Sequence, residues 1–185
     1  MAVARAVGRN VRRKDGNAKF TGAAKYIDDL TFPGMLYGAT IRSTIPRGRI
    51  AARHVSLSGD FITADYRDIP GKNYVALIEQ DQLCLAVDEV RHVAEPIVLV
   101  AHAVKQALIE VDQRVTFDYV AADPNYDPET SDVCFKRIAI DKGDLDRGLR
   151  NADVVIEGEY RTAHQEQLYI ETNGVIAVPG DGQMT

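Results

Sequence analysis

VRHVAEPIVLVAHAVKQALIEVDQRVTFDYV, from Val90 to Val120, is the stretch whose pattern decides the fold class. Ile97, Val98, Leu99 and Val100 are consecutively apolar, as in a strand covered on both faces. Ala103, Val104, Ala107, Leu108 and Val111 then recur at helical spacing, while Lys105, Gln106, Glu110 and Asp112 fall elsewhere on the wheel, which predicts one amphipathic helix. Val115, Phe117 and Tyr119, alternating with Thr116 and Asp118, return to period two. Strand, helix and strand in this order predict an α/β unit.

Upstream, MLYGATIRS (Met35 to Ser43) puts Tyr37, Ala39 and Ile41 on one side at period two after the Pro33-Gly34 turn pair, and so predicts a strand. A further strand is expected over Asn73 to Ile78. The lead-in before Phe32 is punctuated by Asn10, Lys14-Asp15-Gly16-Asn17 and Gly22, and reads as irregular chain draped over a surface. Downstream, Asp123 to Asp132 carries Pro124, Asn125, Asp127, Pro128 and Ser131 with hardly an apolar residue. That composition predicts a linker and a domain boundary. Beyond it, Asp144 is placed to cap a short helix bearing Leu145 and Leu149, and a strand is expected at Asp153 to Arg161. Val175 to Val178, followed by Pro179-Gly180-Asp181-Gly182, predicts a hairpin whose partner strand would begin where the chain ends, so the end reads as a cut.

Composition narrows the function classes. With 45% apolar and 26% charged residues, 14 Gly and 7 Pro in 185 residues, the chain has the balance of a folding globular protein. The net charge of −5 and the brevity of the basic run Arg5, Arg9, Arg12, Arg13, Lys14 argue against a nucleic-acid partner. No apolar h-region follows the early arginines and no apolar run approaches the ~20 residues that span a bilayer, so the expectation is a soluble, cytoplasmic chain.

Chemistry-bearing motifs are sparse. No dinucleotide, NTP, zincin or serine-hydrolase motif occurs. Cys84 and Cys134 belong to no CxxC pair and are expected as free, buried thiols. His54, His92, His102 and His164 are scattered, and a metal site would require them to converge from distant segments. His92 is expected as a loop or strand-edge imidazole, with a general base as the sharper alternative. The most unusual polar cluster is His164-Gln165-Glu166-Gln167, followed by Leu168-Tyr169-Ile170-Glu171. Glu166 and Glu171 flank an apolar trio and are the candidate acid–base pair; the plainer alternative is that they hold a corner of the fold through backbone amides or an arginine.

Four blocks carry a family resemblance: VGRNVRRKDGNAKFTGAAKYIDDLTFPGMLYGATIRS (Val7 to Ser43), DIPGKN (Asp68 to Asn73), VRHVAEPIVLVA (Val90 to Ala101) and GEYRTAHQEQLYIETNGVIAVP (Gly158 to Pro179). In this order they resemble the start of the molybdenum-binding large subunit of the xanthine dehydrogenase and aldehyde oxidase family, from about Val7 to the last residue. The resemblance implies an α+β fold: an α/β-hammerhead domain over residues 1–122 with its irregular lead-in, a linker at 123–132, and the incomplete start of a molybdenum-cofactor-binding domain over 133–185. It also implies structural roles for Asp15, Gly22 and Tyr26 in folding the lead-in back, and for Gly34 in a turn. The chain departs from the family pattern where Ile45-Pro46-Arg47-Gly48-Arg49 replaces a histidine-containing stretch, at Ala94 in place of the usual glycine, and in a short Ile50 to Asp68 region.

Such enzymes hydroxylate a carbon of a heterocycle or aldehyde with water as oxygen source, and electrons leave through iron–sulfur centres, usually to flavin. The resemblance therefore implies molybdopterin, in its cytosine dinucleotide form, in the full enzyme, with FAD and 2Fe-2S clusters in partner domains or subunits. It places no catalytic, cofactor-binding or metal-ligating residue in this chain, because the family's glycine-rich cofactor segments and glutamate base lie beyond the matching region. The expected partners are the remainder of the molybdenum subunit and the iron–sulfur and FAD subunits or domains, with homo-oligomerisation left open. Three readings follow: a catalytically silent scaffold portion, a non-catalytic hammerhead adaptor that binds another protein through Gly158 to Pro179, and a small independent enzyme using Glu166 and Glu171.

Overall fold

The computed structural model describes residues 7–76, 79–134, 136–170 and 172–185. The chain falls into two compact units, Pro33–Ile140 and a second one made of the lead-in up to Phe32 with Asp141–Thr185.

In the lead-in, α1 (Gly16–Phe20) is a single helical turn. Lys19 N–H donates to Asp15 O (3.1 Å), and the Asp15 carboxylate pairs with Arg13 (2.6 Å) and Lys19 (3.3 Å). Tyr26 N–H donates to Asp29 Oδ2 at 3.0 Å, closing a 3-10 turn at Ile27–Asp29. Asp15 and Tyr26 thus shape the lead-in locally.

The Pro33–Ile140 unit contains two three-stranded antiparallel sheets. Its strands are β1 (Tyr37–Arg42), β2 (Gly48–Val55), β3 (Ile62–Ala64), β4 (Tyr74–Val75), β5 (Gln82–Leu83), β6 (Glu89–Val90), β7 (Pro96–His102) and β8 (Val115–Ala121). One sheet has the order β1-β7-β3, the other β6-β2-β8, and β4 pairs with β5 in a small hairpin. Gly34, at φ +72°, takes the turn before β1 in a conformation that costs an L-residue a steric penalty. The core draws on both sheets: Ile41, Ile50, Ala86, Val90, Ile97, Val98, Val100, Val111 and Val115 are buried together, with Ile45, Leu108, Phe117 and Tyr119 packed against them. Each fully buried aliphatic side chain such as Ile97 contributes about 1.5–3 kcal/mol relative to exposure.

The expected strands β1, β7 and β8 form, and alternation explains the burial of one face of each. Three readings of this unit are corrected. First, no amphipathic helix covers Ala103 to Asp112. The chain makes two 3-10 turns, Lys105–Leu108 and Val111–Gln113, separated by Glu110 at φ +60°. A nine-residue helical pattern is shorter than the ~12–15 residues at which a helix sustains itself. Of its apolar positions, Val111 is buried and Leu108 partly so, while Val104 stays exposed. Second, β7 and β8 lie in different sheets, so the segment between them is not a βαβ crossover and the predicted α/β unit gives way to antiparallel sheets. Third, β7 is not covered throughout on both faces: Val98 and Val100 are buried, whereas on the other face Ile97 is buried and Leu99 is exposed. The strand expected at Asn73 to Ile78 survives as the two-residue β4; Leu77 and Ile78 lie outside the described residues.

In the second unit, α2 (Leu145–Arg150) is the predicted short helix, and the Asp144 carboxylate accepts from Arg147 N–H at 2.8 Å as its cap. A hairpin forms but is shifted from the expected one: Pro179–Gly180, expected in the turn, is strand β9 and pairs with β10 (Gln183–Met184) around the Asp181-Gly182 turn, extended by reciprocal bonds between Val178 and Thr185. The strand expected at Asp153 to Arg161 is not paired. Val154, Val155, Ile156 and Tyr160 are exposed, and every described residue from Asp141 to Val175 is exposed. A strand's amide and carbonyl groups need a neighbouring chain, and among the described residues none lies alongside.

Candidate functional site

Of the candidate acid–base pair, Glu166 lies among the described residues. Glu166 is exposed and accepts from the Gln167 amide at 3.1 Å, a contact with its own neighbour. Glu171 lies outside the described residues. Nearby, a recess of about 380 Å³ is lined by Ile27, Tyr169, Ile170, Thr172, Asn173 and Gly174. The apolar trio Leu168-Tyr169-Ile170, expected inside, is exposed.

The histidines take separate tasks. His54 Nε2 lies 2.8 Å from Asp118 Oδ2 across the β2–β8 pair, both side chains exposed. His92 sits in the turn before β7 with Nδ1 2.8 Å from Val93 O, the expected loop imidazole. His102, at the end of β7, stacks on Phe61 at 4.7 Å and accepts from Val104 N–H at 3.0 Å. No group of three or more metal-ligating side chains forms among the described residues. Cys84 and Cys134 are free as expected, but both are exposed, not buried: Cys84 follows the edge of the two-residue β5, and Cys134 lies in the polar segment beyond β8, neither of which has a layer packed over it.

Sequence reasoning missed the most organised polar cluster. Asp65, at 7% exposure, receives Arg67 Nη2–H at 2.6 Å and Arg67 N–H at 2.9 Å, while Arg53 Nη1 lies 3.7 Å away. Arg53 also donates to the carbonyls of Ala86 and Val87 and lies over the Tyr66 ring. The hydrogen bond from the Arg67 guanidinium, opposed by desolvation, holds the Asp65 carboxyl below its ordinary value; the same bond raises Arg67. Asn73 acts similarly without charge, its side-chain amide both donating to Leu85 O (2.7 Å) and accepting from Leu85 N–H (3.0 Å). These groups tie loops to the sheets. Asp65-Tyr66-Arg67-Asp68 could have been found as a capping pattern of carboxylates three apart. The Arg53 contact could not, since it depends on β2 passing over that turn.

A second feature is a cleft of about 550 Å³ at one end of the β6-β2-β8 sheet, where Arg47, Arg49, Glu89, Arg91 and Asn125 converge. Gly48 lies at its centre because a Cβ there would come within 2.6 Å of Val120 O and 2.8 Å of Ile45 Cδ1.

The model of the domain described as "Aldehyde oxidase and xanthine dehydrogenase, a/b hammerhead domain" matches residues 21–121, more than half of the chain. This chain belongs to the aldehyde oxidase and xanthine dehydrogenase family. Its later residues, 126–185, match the molybdopterin cofactor-binding domain. The hammerhead thus carries the two sheets, and the family is one of molybdenum-dependent oxidoreductases. Among curated relatives, the chain is 30% identical over 184 residues to a probable xanthine dehydrogenase subunit of Bacillus subtilis, covering 91% of this chain and 25% of that protein. It is 29% identical over 195 residues to the nicotinate dehydrogenase large molybdopterin subunit of Eubacterium barkeri, covering 97% and 46%. The structure of CO dehydrogenase from Oligotropha carboxidovorans aligns with a TM-score of 0.60 and 25% identity, over 66% of this chain and 16% of that one. The chain therefore spans between a quarter and a half of the length of these two curated relatives.

Among the described residues, the buried side-chain polar atoms without a partner are Arg53 Nε and Tyr119 Oη, both inside the hammerhead. In the second unit the recess beside Gly174 offers Tyr169, Thr172 and Asn173 but no cationic side chain for a phosphate. The described residues of the cofactor domain do not make a pterin cradle, and no chemical step is assigned to them.

Proposed function

We propose that this chain is the N-terminal scaffold portion of a molybdenum hydroxylase that introduces oxygen from water at a carbon of a heterocycle or aldehyde. The carrying observation is the contrast between the units: a packed hammerhead, and a following segment whose Val154, Val155, Ile156, Tyr160 and Ile170 lie exposed on unpaired chain. Exposed apolar residues on a segment without strand partners mark a surface that another polypeptide covers. In this reading the remainder of the molybdenum subunit supplies the missing strands, the glutamate base and the cofactor cradle. Residues 1–122 form the hammerhead domain, 123–132 the linker, and 133–185 the first elements of the cofactor domain. Molybdopterin in its cytosine dinucleotide form, FAD and 2Fe-2S clusters belong to the assembled enzyme, in the cytoplasm. Glu166 and Glu171 carry no catalytic role.

Expression of the chain alone, and together with the remaining large subunit and its iron–sulfur and FAD partners, tests this. Alone it retains no molybdenum and reduces no dye with aldehyde or heterocycle substrates, whereas the co-expressed proteins form one complex that does both. Molybdenum retention and turnover by the chain alone would overturn the scaffold reading. Failure of the chain to join the complex would favour an adaptor that binds another protein.

A further inference from the structure

Four charged side chains, Arg47, Arg49, Glu89 and Arg91, gather at one end of the β6-β2-β8 sheet. Gly48 pairs with Val90 and Arg49 with Glu89. Arg47 and Arg91 adjoin the two strand ends, next in sequence to the paired Gly48 and Val90. Opposed residues of antiparallel strands share a face, and alternate residues return to it. Arg49 and Glu89 therefore share a face, away from the one on which Val90 is buried in the core. They line the cleft of about 550 Å³ together with Arg47, Arg91 and Asn125.

Three guanidiniums against one carboxylate leave two positive charges crowded around one cleft, an unfavourable arrangement without a counter-ion. Neighbouring groups do not relieve this. Arg47 Nη1–H donates to Asp123 O at 3.0 Å and Arg91 Nη1–H to Asp81 O at 3.3 Å, each a carbonyl that leaves most of the fork free. Arg49 has no hydrogen-bond or ion-pair partner among the described residues, although Glu89 is its register neighbour. Local rules broken without compensation concentrate at binding sites. We propose that this cleft binds a phosphate-bearing small molecule through Arg47, Arg49 and Arg91.

The guanidinium fork matches phosphate bidentately. A terminal phosphate group carries about −1.5 to −2 charges at neutral pH, which matches the two uncompensated positive charges better than a single carboxylate does. The cleft is also within the ~300–1,000 Å³ range of small-molecule sites. Its three arginines belong to the hammerhead, so the site does not depend on the scaffold reading. The Ile45-Pro46-Arg47-Gly48-Arg49 stretch supplies two of the three arginines.

Calorimetric titration of the intact chain with inorganic pyrophosphate tests the site, with AMP as a second arm and glutarate as a carboxylate control. Arg49 is the residue to change, because it makes no bond whose loss would disturb the fold. Pyrophosphate binds the unaltered chain, Arg49→Gln weakens binding about tenfold, Arg49→Lys falls between them, and Arg137→Gln outside the cleft has no effect. AMP binding with the same dependence on Arg49 assigns the phosphate to a nucleotide; pyrophosphate binding alone assigns it to a free phosphate. A thermal midpoint of Arg49→Gln equal to that of the unaltered chain without ligand shows that the variant is folded; if it falls, Arg91→Gln is titrated in the same way. A flat pyrophosphate titration at millimolar concentration, equal binding by the arginine variants, or glutarate binding as tightly as pyrophosphate would each overturn the proposal.

Discussion

Ala94→Gly should stabilise the hammerhead. Ala94 is exposed and adopts φ +66° in the turn that leads into β7. Its amide donates to Ser43 O at 2.8 Å, and its carbonyl accepts from Arg42 Nη1 at 2.9 Å. Those two bonds, joined by Ser43 N–H to Glu95 O at 2.8 Å, clamp the turn onto the end of β1 and hold Ala94 in the left-handed region. An L-residue there costs about 1–2 kcal/mol, and glycine gives back about 0.4–1 kcal/mol through the greater freedom of the unfolded chain. The net gain is about 0.5–1 kcal/mol. Both backbone bonds survive the change, and the exposed methyl group contributes little packing. For a unit of roughly 100 residues this raises the thermal midpoint by about 2–6 °C. Urea unfolding followed by circular dichroism reads the same gain as a higher midpoint at unchanged slope. Ala94→Val should move the midpoint the other way, because a β-branched side chain is far less tolerant of positive φ. A glycine variant no more stable than the unaltered protein would refute the claim that this turn is strained.

Gly48→Ala should cost about 1–3 kcal/mol, because the new Cβ would approach the backbone oxygen of Val120, which cannot step aside without breaking the β2–β8 pairing; the urea midpoint reads this loss. Asp65 has a folded-state pKa below its ordinary value of 3.8, chiefly through the Arg67 hydrogen bond, so its contribution is fully present above about pH 4 and is lost as pH falls through the lowered value. Asp65→Asn should therefore be less stable than the unaltered protein at neutral pH, with the difference shrinking in acid; a difference that stays constant down to about pH 2 would point to a role other than charge. Asp144→Ala removes the cap on Arg147 N–H and should destabilise α2 by about 1 kcal/mol, seen as faster hydrogen exchange at Arg147 and Gly148 with no change in the hammerhead.

Local patterns determined much of this protein by themselves. Tyr37 to Arg42, Pro96 to His102 and Val115 to Ala121 form strands because their alternation or apolar runs suit only a sheet. Asp144 caps the short helix through a bond to a residue three positions away, and Asp181-Gly182 turns a hairpin. In these cases the partner lies nearby or the side-chain period settles the outcome. Four ordered sequence blocks also sufficed for the family, although no single block did. Tertiary structure decided what depends on distant neighbours. The apolar spacing from Ala103 to Val111 suits a helix, but the core takes up only Leu108 and Val111, and two 3-10 turns accomplish that. Val154 to Tyr160 looks like a strand and stays unpaired, since pairing belongs to two chains and not to one. Arg47, Arg49 and Arg91 read as ordinary surface charges until the pairing of β2 with β6 brings them to one cleft, and Ala94 reads as an ordinary alanine until β1 pins its turn at positive φ.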